Sequence, residues 1–208
     1  MDLSINSKFY HFMTKIADCM ILSILWIVCS LPVITAGAAT TALYYCVVKV
    51  IREERSSVFK EFRKAFKSNF KQSTIISAAV LVVTVLVTAI GSAVYAMIQQ
   101  QAALDKIYFV YLILLGFGTA WLHYIFSYIA RFDAPLKTIL KNTLVICLVN
   151  LPHSLSMMIL FVIMIVLLIL TFPASGMTLL LVPAVYALIS SLMLEKIYSK
   201  YLPVEEQE

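Results

Sequence analysis

Thr74-Ile-Ile-Ser-Ala-Ala-Val-Leu-Val-Val-Thr-Val-Leu-Val-Thr-Ala-Ile-Gly-Ser-Ala-Val-Tyr-Ala-Met-Ile98 carries no charged side chain, and about 20 apolar residues are enough for a helix to span a bilayer. Its apolar residues run continuously instead of alternating. Lipid offers no partner to backbone N–H and C=O groups, so such a run reads as a helix that satisfies its own backbone. The segment just before it has the opposite character. From Lys49 to Lys71 the chain holds Lys49, Arg52, Arg55, Lys60, Arg63, Lys64, Lys67 and Lys71 against Glu53, Glu54 and Glu61.

The same contrast extends along all 208 residues. Hydrophobic residues make up 62% and charged residues 13%, far from the roughly 25% charged of a soluble domain; the mean hydropathy is +0.95. The basic residues gather before Ile21, between Lys49 and Lys71, between Arg131 and Lys141, and at Lys196 and Lys200; Lys106 stands apart. Under the positive-inside rule these clusters are cytoplasmic. The net charge of +5 is therefore read as topology, and nucleic acid is not an expected partner.

The pattern predicts an all-α membrane protein, a single helical membrane domain over 1–208 with about six transmembrane helices and a cytoplasmic amphipathic helix within 52–71. The spans fall near Phe9–Leu31, Thr35–Ile51, Thr74–Ile98, Ile107–Ala130, Pro152–Leu170 and Thr178–Leu194. Pro32 ends the first, since proline lacks an N–H and clashes in a helix interior. Leu136 to Asn150 reads as an interfacial or tilted piece, kinked at Pro152. Both termini are then cytoplasmic. The second span is the shortest, and treating it as re-entrant or interfacial gives five crossings with the N-terminus outside. A third reading takes Ala36-Gly37-Ala38 as the end of a cleaved signal peptide covering 1–38; the apolar stretch is long for that, and Pro32 to Ala42 reads well as a hairpin.

Chemistry-bearing residues are sparse. Cys19, Cys29, Cys46 and Cys147 lack a C-x-x-C spacing and lie in apolar stretches, as reduced packing residues do. His11, His123 and His153 fall on three segments, so no metal site and no cofactor are expected. An ionisable group inside a span invites a functional reading, yet His123 among Trp121, Tyr124 and Tyr128 also suits a neutral histidine bonded between helices. Asp18 one turn from Lys15 reads as a neutralised pair. Small residues four apart, Ala38 and Ala42, Gly116 and Ala120, Ala187 and Ser191, predict close helix packing.

Phe59, Phe62, Phe66 and Phe70 recur at spacings of three and four, with Lys60, Arg63, Lys64 and Lys67 around the rest. Ser57 can cap the start of this helix. It suits either an inner-leaflet surface, with its cations on anionic lipid, or an aromatic strip for a partner groove. Phe59, Phe62, Arg63, Lys64, Phe66, Lys67 and Phe70 are the docking candidates.

Ser30-Leu-Pro-Val-Ile-Thr-Ala-Gly-Ala-Ala-Thr-Thr-Ala-Leu-Tyr-Tyr45, then Phe59-Lys-Glu-Phe-Arg-Lys-Ala-Phe-Lys-Ser-Asn-Phe-Lys-Gln-Ser73, then Ala130-Arg-Phe-Asp133 with Lys141-Asn-Thr and Asn150-Leu-Pro152 together resemble the YesL-like family of bacterial membrane proteins. The motif residues on which the resemblance rests include Pro32, Thr35, Gly37, Arg131, Asp133, Asn150 and Pro152. Residues two apart on a helix do not face each other, so Arg131 and Asp133 are expected on different elements, with Arg131 reaching a phosphate or a helix C-terminus. The resemblance implies a bacterial plasma membrane and a link to carbohydrate ABC importers, beside which such proteins are often encoded. The carotene-monooxygenase label carried by some relatives needs four histidines, and three are present. The expected function is a non-catalytic accessory subunit bound to the importer's permease pair, with direct sugar binding left open; a self-contained channel or secondary transporter is the alternative. Leu136 to Pro152 has a faint likeness to the permease loop that meets the ATPase, without its Ala-Asp-Gly part.

Overall fold

The computed structural model describes residues 3–52, 57–98, 105–171 and 180–201, and every regular element among them is helical. Seven α-helices follow one another: α1 (Leu3–Ser30), α2 (Ala36–Cys46), α3 (Val58–Ile98), α4 (Asp105–Arg131), α5 (Leu136–Val149), α6 (Leu151–Thr171) and α7 (Val182–Tyr198). A 3-10 turn, Val33–Thr35, joins α1 to α2, and a π-helical segment, Val47–Arg52, continues α2. Five stretches are long and apolar enough to cross a membrane: Phe12–Ser30, Val33–Arg52, Val58–Ala96, Tyr108–Arg131 and Leu151–Leu170. These helices fit a multi-pass membrane protein. The loop at 99–104, the turn expected at 172–177, the start of the sixth expected span at Thr178 and the acidic tail lie outside the described residues.

The basic phenylalanine segment is not a separate helix. It forms the first half of α3, which runs unbroken for 41 residues, about 60 Å and twice the hydrocarbon thickness of roughly 30 Å. Its sequence contains no proline or glycine between Val58 and Ile90 to stop it.

The interhelical contacts fix the relative heights of the helices. The Gly37 N–H donates to Ser77 Oγ at 2.9 Å, and the Thr41 and Ser73 hydroxyls meet at 3.1 Å, so α2 runs antiparallel to α3 alongside the basic half and the first turns of the apolar half. Further out, α3 pairs with α4: Tyr111 packs on Gly91 and donates to the Val87 carbonyl at 3.2 Å, and the Tyr95 and Tyr108 rings meet at a tilt. Gln72 Nε2 donates to the Ala134 carbonyl at 2.9 Å, closing the other end of that pair. The tip of the α1–α2 hairpin therefore stops opposite Ser77. From there α3 continues about 20 residues, roughly 30 Å, past it.

The tip is built by sequence. Pro32 cannot extend α1 and opens the 3-10 turn, while the Thr35 hydroxyl donates to the Cys29 and Pro32 carbonyls at 2.6 and 2.8 Å. The Cys29 carbonyl, in the last turn of α1, thereby gains a side-chain donor. The wider π turn then lets Val47, Val48, Val50 and Ile51 all face inward.

Three buried clusters hold the bundle. The first joins α1, the hairpin, the lower half of α3 and α7 through Leu22, Ala42, Cys46, Val47, Phe62 and Ala187. The second joins Tyr44, Tyr124, Cys147, Met157, Leu194 and Tyr198, and the third Ile76, Ile125, Ile129 and Ile139. Ala38, Ala42, Ala120, Ala187 and Ser191 are all buried, as their four-residue spacing predicts. By contrast, Val82, Leu86, Ile90, Leu114, Val162 and Ile169 point outward, leaving the upper parts of α3, α4 and α6 apolar on the face a bilayer would wet.

The break between α5 and α6 falls at Asn150, two residues before Pro152. Asn150 Nδ2 donates to the Ile146 carbonyl at 2.9 Å and Ser154 Oγ to the Cys147 carbonyl at 2.8 Å. The Ile146 carbonyl also accepts the Asn150 N–H at 3.0 Å, while Ser154 supplies the Cys147 carbonyl with a side-chain donor at the interruption.

Candidate functional site

Polar and aromatic side chains gather where the hairpin, α4, α6 and α7 meet. α4 brings Thr119, His123, Ser127 and Arg131 one above another, at the four-residue spacing that shares a helix face. α7 faces it with Tyr186, Ser190 and Glu195, while α1 supplies Trp26 and α2 supplies Thr40 and Tyr44. Between them lies a cavity of about 210 Å³.

Every polar side chain in its wall is already engaged. Trp26 Nε1 donates to Thr40 Oγ1 at 3.1 Å, and Thr40 donates to the Ala36 carbonyl at 2.8 Å. Thr119 donates to the Gly116 carbonyl at 2.7 Å and Ser190 to the Ala187 carbonyl at 3.0 Å. Ser127 reaches the His123 carbonyl at 2.7 Å and the Tyr198 hydroxyl at 2.6 Å. His123 Nδ1 lies 2.7 Å from the Thr119 carbonyl, and Nε2 meets the Tyr186 hydroxyl. A carbonyl only accepts, so Nδ1 carries a proton. His123 is thereby a strut between α4 and α7, wedged edge-on against Phe161 and Tyr186.

Below the cavity sits an ion pair. Arg131 Nη1 is 2.6 Å from Glu195 Oε2, and Tyr44 donates to Glu195 Oε1 at 3.0 Å, tying α4, α7 and α2 together. Arg131 Nε is buried without a hydrogen-bond partner among the described residues. In place of the phosphate or helix C-terminus expected from sequence, Arg131 meets a carboxylate. No local pattern announces this, because Glu195 lies 64 positions away and reads as the polar end of a span.

The other motif residues serve the same end of the bundle. Gly37 is where α2 meets α3 and α4: a β-carbon there would collide with Ser77 Oγ and the Phe126 ring. Asp133 is exposed. Asn142, from the Lys-Asn-Thr block, donates to the Tyr128 hydroxyl at 3.1 Å. Pro32, Thr35, Asn150 and Pro152 make the two chain reversals described above.

The phenylalanine strip divides. Phe62 is 3% exposed inside the first cluster, with Phe66 half-buried and stacked on it. A side chain buried in its own core cannot anchor a partner, so Phe62 leaves the docking set. Phe59 and Phe70, at 60% and 40% exposure, remain on the surface with Lys60, Arg63, Lys64 and Lys67. Among the described residues, no three His, Cys, Asp or Glu side chains come together as metal ligands do.

The described helices fit a multi-pass membrane protein, and where they meet they line an apolar cavity whose polar side chains bond within the chain. Residues 19–91 match the family model described as Protein of unknown function, DUF624; the matched stretch covers the apolar part of α1, the hairpin and α3 as far as Gly91. No curated protein and no solved structure matches the chain.

Proposed function

We propose that the protein is a non-catalytic, multi-pass subunit of the bacterial plasma membrane that works beside the permease pair of a carbohydrate ABC importer. The observation that carries the non-transporting part is the cavity wall: its donors are all occupied by the chain itself. A site that selects sugars must offer free donors and acceptors, because a desolvated hydroxyl left unpaired costs about 1–3 kcal/mol. At about 210 Å³ the cavity is also smaller than the roughly 300 Å³ at which pockets for drug-sized ligands begin. The importer rests on the resemblance of the three sequence blocks. The uncovered face of α3, with Phe59, Lys60, Arg63, Lys64, Lys67 and Phe70, is the surface offered to the partner or to anionic headgroups.

Topology belongs to the same proposal. Both termini are cytoplasmic. α2 pairs with the basic half of α3, and the hairpin tip stops near Ser77, so α1 and α2 enter from the cytoplasmic side and return. α3, α4 and α6 are then the full-length crossings, and α7 returns to the level of Arg131, in place of the six crossings expected from sequence. Tyr95, Tyr108 and Tyr111 form an aromatic belt at one end of α4 and Arg131 ends the other. The 24 residues from Tyr108 to Arg131 span about 36 Å, which matches a bilayer core with its edges.

Reconstitution tests the functional reading. The purified protein in liposomes should accumulate no sugar under a proton or sodium gradient. Gradient-driven uptake would replace the accessory reading with the self-contained transporter and make His123 and Tyr186 the first residues to substitute.

A further inference from the structure

We propose that the cavity between α1, α2, α4, α6 and α7 seats part of one acyl chain of a bilayer phospholipid, taken from the cytoplasmic leaflet. This rests on the chain lying in a bilayer in the orientation proposed above, and not on the importer reading. The wall is almost entirely carbon, and its few hydroxyls already donate within the chain, so it offers little to water, which needs two to four partners. At about 210 Å³ the space exceeds the roughly 150 Å³ of an apolar cavity that holds a benzene. Left empty, its lining would lose dispersion contacts outright.

Its height selects the occupant. The cavity extends from Tyr44 and Leu194, next to the Arg131–Glu195 pair, up to Thr119 and Phe161. It therefore begins at the charged rim and rises into the hydrocarbon layer, where acyl chains are the abundant apolar species. Arg131 keeps a quarter of its side chain exposed at that rim, a cation where the ester and phosphate oxygens of a lipid would lie once its chain is inserted.

Tryptophan fluorescence reads the site, because Trp26 lines the cavity and Trp121 is the one other tryptophan. Delipidated Trp121→Phe protein in detergent is titrated with dibrominated phosphatidylcholine. The expected result is a saturable quenching phase equivalent to one lipid per chain, competed by unbrominated phospholipid. Ala187→Phe, which fills the cavity from α7, should remove at least half of that phase, and Ser190→Leu should do so in part. Quenching that only follows the brominated mole fraction means surface contact and overturns the proposal. So does a saturable phase that both filling variants retain while melting like the parent, or one given by brominated free fatty acid and not by the phospholipid. If neither filling variant folds, the competed phase in the parent decides alone.

Discussion

Glu195 does for Arg131 what solvent would do elsewhere, and removing one partner leaves the other charge at a rim where few alternatives exist. Arg131→Ala and Glu195→Ala are each expected to lower stability by about 2 kcal/mol, below the 3–5 kcal/mol of fully buried pairs because both side chains keep some exposure. The double variant should lose less than the sum. Thermal unfolding in lipid nanodiscs checks both statements; additive losses would show that the pair is not coupled. Gly37 offers a second residue-scale test. Gly37→Ala forces a methyl against Ser77 and Phe126 and should cost about 1–3 kcal/mol, while Gly118→Ala, with open space at its β-carbon, should stay within about 0.5 kcal/mol. These roles are only half legible in sequence. Pro32, Thr35 and Gly37 announce a turn and a close approach, but which helix approaches depends on residues 40 positions on.

At the scale of elements, the continuity of α3 changes what the phenylalanine strip means. Spacing of three and four says that the four rings share a face; it does not say that the face is covered by α1, the hairpin and α7, since that covering is made by distant sequence. Phe62→Ala should therefore behave as a core truncation, losing about 3–5 kcal/mol. Phe59→Ala should leave the melting temperature unchanged and weaken only association with partner or membrane. Equal melting of the two variants would contradict the packing. The hairpin is less legible still, because its length and apolarity suit a crossing and its pairing with the basic half of α3 is tertiary. On a cysteine-free background, a cysteine at Val33 should resist membrane-impermeant maleimide from either side of the membrane. Labelling from outside would restore two full crossings at α1 and α2.

For the whole molecule, the charge pattern and the apolar runs are enough to establish an all-helical, membrane-suited chain. The interior is not readable, because it depends on which side chains meet across helices: Trp26 on Thr40, Tyr44 on Glu195, Ser127 on Tyr198 and His123 on Tyr186. That interior, with His123 held between Thr119 and Tyr186, is what favours the proposed supporting role over a conducting one. The most direct measurement is purification of the tagged protein from native membranes in a mild detergent, with mass spectrometry of what remains bound at constant stoichiometry. The account predicts the two permease subunits of one carbohydrate ABC importer, with Lys64→Glu and Phe59→Ala on α3 reducing their yield. A protein that purifies alone, under conditions in which the importer's own subunits stay together, would contradict it.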